Sequence, residues 1–396
     1  MQKYSVTQVL RDNKGIIFAA VPVLTGMAIS VSISAVQVGL GLMLIALIFH
    51  LFRSRINIFK DCPYFTPFFI YWLATLPSLI FGSEYAGIEG NLFAPWQLLI
   101  FFCSYYFVSE KSIEFIFPLF ILSAAALSVS VIYQNITTPY IRMGGFHHYM
   151  MSAHLLSVSA ALSIAIIISG YEKRRYFIAF YSLSTLIILA GIIATDTRMP
   201  LLAISAAVII MLTFKFKIKG LLISALITVI LIALILNEPV MRSRWLELGK
   251  DVSDYTTSHG WRLLLWKNTW ELFKEYPIFG IGGGAFDKLM MQLMPADITW
   301  LPRKHAHNGY LMQLVTYGAA GFAAFCFMYY KIIADTVKSI NINKFAFIGS
   351  AIAIVYLTEA VTEDNFGLSM TSMQYMFLAG IMLGAMRKNI EETSKE

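Results

Sequence analysis

Charge is what this chain has least of. Only 13% of its 396 residues are Asp, Glu, Lys or Arg, against roughly 25% in an average soluble domain. That shortage excludes a water-soluble globular protein. Cysteine is scarce too. Cys62, Cys103 and Cys326 lie scattered in or beside apolar stretches, with neither a disulfide framework nor metal-ligand spacing. The one glycine run, Gly280 to Gly284 with Ala285 and Phe286 behind it, follows no strand pattern and is not closed by Gly-Lys-Ser/Thr. It reads as a tight external turn rather than a phosphate loop. No motif supports a serine or cysteine nucleophile, and no aspartate pair is placed to hold a metal on a nucleotide sugar.

What is present is apolar. Hydrophobic residues make up 58% of the chain, and mean hydropathy is +0.68. Runs of roughly 20 apolar residues are what a bilayer core of about 30 Å requires. They occur near 16–34, 35–52, 64–82, 91–108, 112–133, 149–169, 176–194, 199–214, 219–237, 307–330, 344–361 and 370–386. The expected fold is all-α: one integral-membrane domain over 1–396 with about twelve transmembrane helices and a single long loop over 238–306. Residues 1–15 are polar and basic, and the apolar run behind them continues straight into a second one. A retained anchor helix therefore fits better than a cleaved signal.

The net charge of +7 would suit nucleic acid if it lay on one face with interleaved aromatics. It lies instead in loops, where the positive-inside bias puts it. With the N-terminus cytoplasmic, Arg53, Arg55, Lys60, Lys173, Arg174, Arg175, Lys215, Lys217, Lys219, Lys338, Lys344, Arg387 and Lys388 all fall inside. Both termini are then cytoplasmic, and Arg142 and Arg198 are the only cations in the short external connections. A cation there runs against the bias. Either it snorkels to the interface, with Arg198 pairing Asp196, or it has an anion to bind.

The long loop carries an amphipathic helix from Trp261 to Tyr276. Leu263, Trp266, Trp270 and Phe273 share one face and Lys267, Glu271, Lys274 and Glu275 the other, a pattern that suits the headgroup plane. Arg262 lies in its first turn. The loop ends in Arg303-Lys304-His305-Ala306-His307-Asn308, where it meets an apolar helix. The spacing of His305 and His307 is poor for chelating a metal. One combination remains: a histidine as general base beside guanidinium groups that hold an anion bidentately. Against it stands a histidine that only hydrogen-bonds.

Pro277-Ile278-Phe279-Gly280-Ile281-Gly282 with Phe286, His307-Asn308 followed by Leu311 and Gly318, Thr197-Arg198, and Trp261-Arg262-Leu263 together resemble the O-antigen ligase and polymerase superfamily. These bacterial inner-membrane glycosyltransferases are of type C. The likeness covers roughly residues 190–330; the first half matches only in hydropathy and in Arg142 with its glycines. The resemblance implies a periplasmic active site, an undecaprenyl-pyrophosphate-linked glycan as donor, and lipid A–core as acceptor in lipopolysaccharide biosynthesis. It implies inversion at the anomeric carbon, with no metal, cofactor or nucleotide. Carried over, His307 is the general base, and Arg198 and Arg262 hold the pyrophosphate. His305, Arg142 and Arg303 support or contact phosphate, and Glu359 positions guanidinium groups or simply pairs an interfacial cation. The external connections 134–148 and 362–369 are short, which favours a ligase over a polymerase. A lipid or glycan transporter would place ionisable groups near the midplane; here they crowd one face.

The inside–outside assignment is open to a direct check. A green fluorescent reporter fused after Glu396 should fluoresce and an alkaline phosphatase in the same place should be inactive. The reverse pattern would invert every loop.

Overall fold

The computed structural model describes residues 20–88, 90–91, 94–107, 110–138, 141–237, 242–243, 254–255, 257–294, 304–367 and 369–393, and among these there are helices and turns but no strand. Residues 20–28 are helical, and α1 (Ile33–Ser54) starts behind a turn, with the Ser32 hydroxyl accepting from the Ala35 amide as an N-cap. Then come α2 (Phe65–Thr75), α3 (Ile100–Phe107), α4 (Glu110–Thr137), α5 (Tyr149–Ser169), α6 (Arg175–Ala194), α7 (Arg198–Phe216) and α8 (Ile218–Asn237). The second half holds α9 (Ser258–Glu275), α10 (Phe286–Leu293), α11 (Gly309–Lys338), α12 (Lys344–Glu359) and α13 (Ser369–Thr393).

Six described helices are long and apolar enough to cross a bilayer: α1, α4, α5, α6, α7 and α11. The expected runs at 64–82 and 91–108 are broken. The first splits at Pro77 into α2 and a turn of helix at Ser78–Phe81, as a ring without an N–H demands. The second opens with a 3-10 stretch, Ala94–Leu99. With 11 residues, α2 reaches only about 16 Å at 1.5 Å per residue.

Burial follows the apolar pattern. Helix α5 is the most enclosed candidate span, packed against α4, α6, α7 and α12, while α13 lies along α3. Helix α8 leaves Leu222, Leu226, Val229 and Ile230 exposed, as a helix against lipid would. Lysines and arginines mark one end of the bundle. There Lys215 and Lys344 donate to the Ile168 and Gly170 carbonyls, the open C-terminus of α5.

The opposite end is organised by a break in α11. Gly318 has φ 65° and ψ −173° and interrupts the helix, which frees carbonyls and amides that an apolar setting cannot solvate. The glycine loop after α9 supplies the partners. Ile281 and Gly282 amides donate to Val315 and Thr316 carbonyls at 2.9 Å, and Ala319 and Ala320 amides donate to Pro277 and Ile278 carbonyls at 2.9 and 3.1 Å. The run expected to be a simple external turn is therefore docked into a transmembrane helix. A Cβ on Gly318 would collide with the backbone of Ile278 and Phe279.

Gly318→Ala should thus lower the melting temperature in detergent by the equivalent of ~2–3 kcal/mol, strain and collision together. Gly170→Ala, also at positive φ but facing open space, should cost nearer ~1 kcal/mol. Equal effects at the two positions would mean the docked loop contributes nothing.

Candidate active site

The motif His307-Asn308-Gly309 has a separate structural task at each position. Asn308 is the N-cap of α11, its side-chain oxygen accepting from the Leu311 amide at 3.0 Å. Gly309 donates its amide to the carbonyls of both Ala360 and Glu363, at 2.7 and 3.0 Å, and a Cβ there would strike the Phe366 ring. His307 stands at φ 49°, a left-handed conformation that non-glycine residues adopt under constraint. Before it, the buried Ala306 is held by the Trp266 indole N–H, which donates to its carbonyl at 2.9 Å.

These constraints bring the histidines to Glu363, in the turn after α12. His307 Nδ1 lies 3.1 Å from Glu363 Oε2, and His305 Nδ1 lies 3.4 Å from Oε1 without the alignment of a hydrogen bond. The two rings are 4.3 Å apart, centroid to centroid. Only 3% of the Glu363 side chain is exposed, so water does little to stabilise its charge. Burial opposes ionisation, yet the hydrogen bond from His307 and the histidines around it outweigh burial and bring the carboxyl down to about 2. His305 goes the same way for another reason. Burial pushes it down to about 4, Glu363 resists, and His307, Arg262 and His148 assist. At neutral pH the group is a carboxylate with a neutral His305. A carboxylate facing His307 Nδ1 selects the tautomer with the proton on Nδ1, which leaves the Nε2 lone pair to accept a proton.

Ligand atoms of His305, His307 and Glu363 lie within 4.8 Å of one another, close enough to share a cation. A cation held through His307 Nδ1 would need the other tautomer of that ring and would cost the His307–Glu363 hydrogen bond. The arrangement fits a dyad with a flanking histidine better than a metal centre.

The arginines approach from three elements. Arg142 donates from Nε to the Thr195 carbonyl (3.3 Å) and from Nη2 to the Asp196 carbonyl (3.2 Å) and Thr197 Oγ1 (3.0 Å), and it stacks 3.6 Å over the Tyr149 ring. It clamps the corner, with Asp196 at φ 54°, from which half-buried Arg198 opens α7. Arg262 donates to Ser258 Oγ at 2.6 Å and acts electrostatically on His305, as Arg142 does on His148, which in turn feels His307 and Glu363. Arg142, Arg262, His305 and His307 therefore share one electrostatic neighbourhood, and Arg198 sits on the corner that Arg142 holds. Arg303 lies outside the described residues. Glu359, wholly buried, faces His154 at 3.0 Å, from behind the site.

Glu363 is the residue that sequence reasoning missed. Its signal was Thr362-Glu363-Asp364-Asn365, a polar cluster between two apolar runs, four residues beyond the acid that attracted attention. The face expected for the loop helix also needs correction. Trp261, Leu264, Leu265 and Leu272 of α9 are the buried side, while Leu263 and Trp270 are 43% and 47% exposed. Trp266 turns from the expected headgroup face to hold Ala306 because the helix has a partner, α11, on that flank.

A cavity at the other, cation-rich end is lined by Glu114, Glu172, Arg174 and Lys344. Its charges are already engaged: Arg174 meets Glu172 at 2.7 Å and Lys344 caps Gly170.

Comparison with known proteins falls on the part of the site that holds Arg198, Arg262, His305 and His307. Residues 183–326 match the family model described as O-antigen ligase. This segment belongs to the O-antigen ligase family. It spans α7, α9, the docked glycine loop, both histidines and the first part of α11. An uncharacterized protein of Haemophilus influenzae is 24% identical over 294 residues, covering 69% of this chain and 72% of its own length. The family likeness concerns the 183–326 segment and not the whole chain.

The buried dyad implies an acid limit to stability. Groups whose folded pKa lies below the unfolded value leave the unfolded chain binding more protons, so stability rises with pH. For His305 the window runs from its ordinary 6.5 down to about 4. The melting temperature should fall as pH drops through that window, and His305→Asn should flatten the slope. An unchanged slope would show that His305 does not stay neutral on folding.

Proposed function

We propose that the protein is an O-antigen ligase. It transfers O-antigen polysaccharide from undecaprenyl pyrophosphate to a sugar hydroxyl of lipid A–core at the periplasmic face of the inner membrane. The observation that carries this reading is His307 held by a buried carboxylate at the same end of the bundle as Arg142, Arg198 and Arg262. His307 Nε2 takes the proton of the acceptor hydroxyl, and that oxygen attacks the anomeric carbon from the face opposite the leaving group. The bond from that carbon to the pyrophosphate oxygen breaks, and the configuration inverts. Glu363 balances the imidazolium as it forms.

The leaving pyrophosphate gains charge in the transition state, and fixed guanidinium groups stabilise it without reorganising. Arg198 and Arg262 take that role. Arg142 contributes by holding the corner that presents Arg198, His305 flanks the phosphates, and the family resemblance adds Arg303 as a further phosphate contact. Nothing in this route needs a metal or a nucleotide.

A lipopolysaccharide gel from a strain lacking the gene tests the reading. Lipid A–core free of O-antigen, with undecaprenyl-linked polymer accumulating, is the expected result. Core carrying a single repeat unit would indicate the polymerase instead, and an unchanged ladder would exclude both. His307→Ala should fail to restore the ladder at normal protein levels, since loss of a general base costs roughly 10²–10⁴-fold in rate. Glu363→Gln should be slowed on the order of 10²-fold or more, an orienting carboxylate behind a histidine being worth up to about 10⁴-fold.

A further inference from the structure

Behind the dyad lies a second histidine–glutamate pair that the proposed chemistry does not use. His154, in the second turn of α5, is 2% exposed, and Glu359, the last residue of α12, is 0% exposed; Nδ1 and Oε2 are 3.0 Å apart. The two atoms are close without the alignment of a hydrogen bond, and neither Glu359 oxygen has a hydrogen-bond partner among the described residues. A buried pair so thinly supported is no better for stability than two apolar side chains of similar volume, so its placement calls for another explanation.

Connectivity supplies one. The backbone carbonyl of Glu359 accepts the amides of Thr362 and Glu363, at 3.0 and 3.1 Å. That turn is the one whose Ala360 and Glu363 carbonyls receive the Gly309 amide at the start of α11. The side chain of Glu359 thus ties α5 to a five-residue turn that ends in the carboxylate facing His307. His154 also lies within electrostatic reach of Glu363 and Arg262, the charged groups that approach it along with Glu359.

We propose that His154 and Glu359 are positioning residues: their pair fixes the 359–363 turn against α5 and so sets where Glu363 holds His307. The role rests on the glycosyl-transfer reading for its consequence in rate, though not for its geometry. Loss of the pair should loosen the Glu363–His307 contact while leaving the arginines, which are held by other elements, in place.

The test compares Glu359→Gln with the double variant His154→Leu/Glu359→Leu, which removes both polar side chains and leaves a volume-filled, foldable core. The double variant should melt within a few degrees of the parent. Its kcat for transfer from a lipid-linked donor should nevertheless fall at least tenfold, with the donor KM within twofold. Glu359→Gln, which keeps an oxygen for the His154 N–H, should recover most of the lost rate. Independently of any glycan, the rate at which diethyl pyrocarbonate modifies His307 at a fixed pH, read by mass spectrometry, should change at least threefold in the double variant. A folded double variant with parental kcat and parental His307 reactivity would overturn the proposal. If the parent transfers no glycan, the ligase reading fails, and the His307 modification rate still decides the positioning role.

Discussion

One amide joins the two halves of the site. The first helical N–H of α11, at Gly309, has no partner within its own helix, and the turn that follows α12 has carbonyls to offer at Ala360 and Glu363. Each supplies what the other lacks, as Gly309 donates to Ala360 and Glu363. The helix dipoles run the same way, a partly positive N-terminus against a partly negative C-terminus. Because Gly309 has no side chain, the turn can come close enough for this contact, with Phe366 occupying the space a Cβ would need. His307 precedes that amide by two residues and Glu363 closes the turn it grips. Backbone contact therefore brings the two together, and the turn that carries Glu363 is the one whose first residue, Glu359, lies against His154 of α5.

The break at Gly318 makes this contact dependable. A helix that ended freely at Gly309 could tilt, taking His307 with it. Here the first turns of α11 are held by four backbone hydrogen bonds to the loop at 277–282, and that loop follows directly from α9, whose Trp266 steadies Ala306. Three pieces of chain far apart in sequence close on one another, with few torsions left to them. Pre-organisation of this kind lets a site stabilise developing charge without rearranging.

Much of this was legible in advance, because spans and caps are local. The run expected at 149–169 is helix over those very residues. The apolar helix expected to follow the long loop begins at Gly309, and Arg142, Arg198 and Arg262, expected on one side, come from elements that meet at one end of the bundle. What stayed hidden depends on partners. Periodicity identified an apolar face on α9 and could not say that α11 would cover the adjacent one. Composition found a short connection at 362–369 without saying which carboxylate would turn inward, because that is decided by contact with a helix end some fifty residues earlier. Glu359, expected to position guanidinium groups or pair an interfacial cation, is sealed from water and lies against His154 on α5.

The distribution of charge favours the proposed catalyst over a carrier on physical grounds. A transporter must bind its cargo near the midplane and release it on both sides, so its polar groups need two accessible states. Here His305, His307, Glu363 and the arginines lie together at helix ends, with the break in α11 filled by loop backbone and not by a water-lined passage. An ionised carboxylate 3% exposed is tolerable only where hydrogen bonds and cations are fixed around it. Alternating access would repeatedly dismantle that surround. A site that stays assembled at one end suits chemistry on a substrate arriving from the membrane.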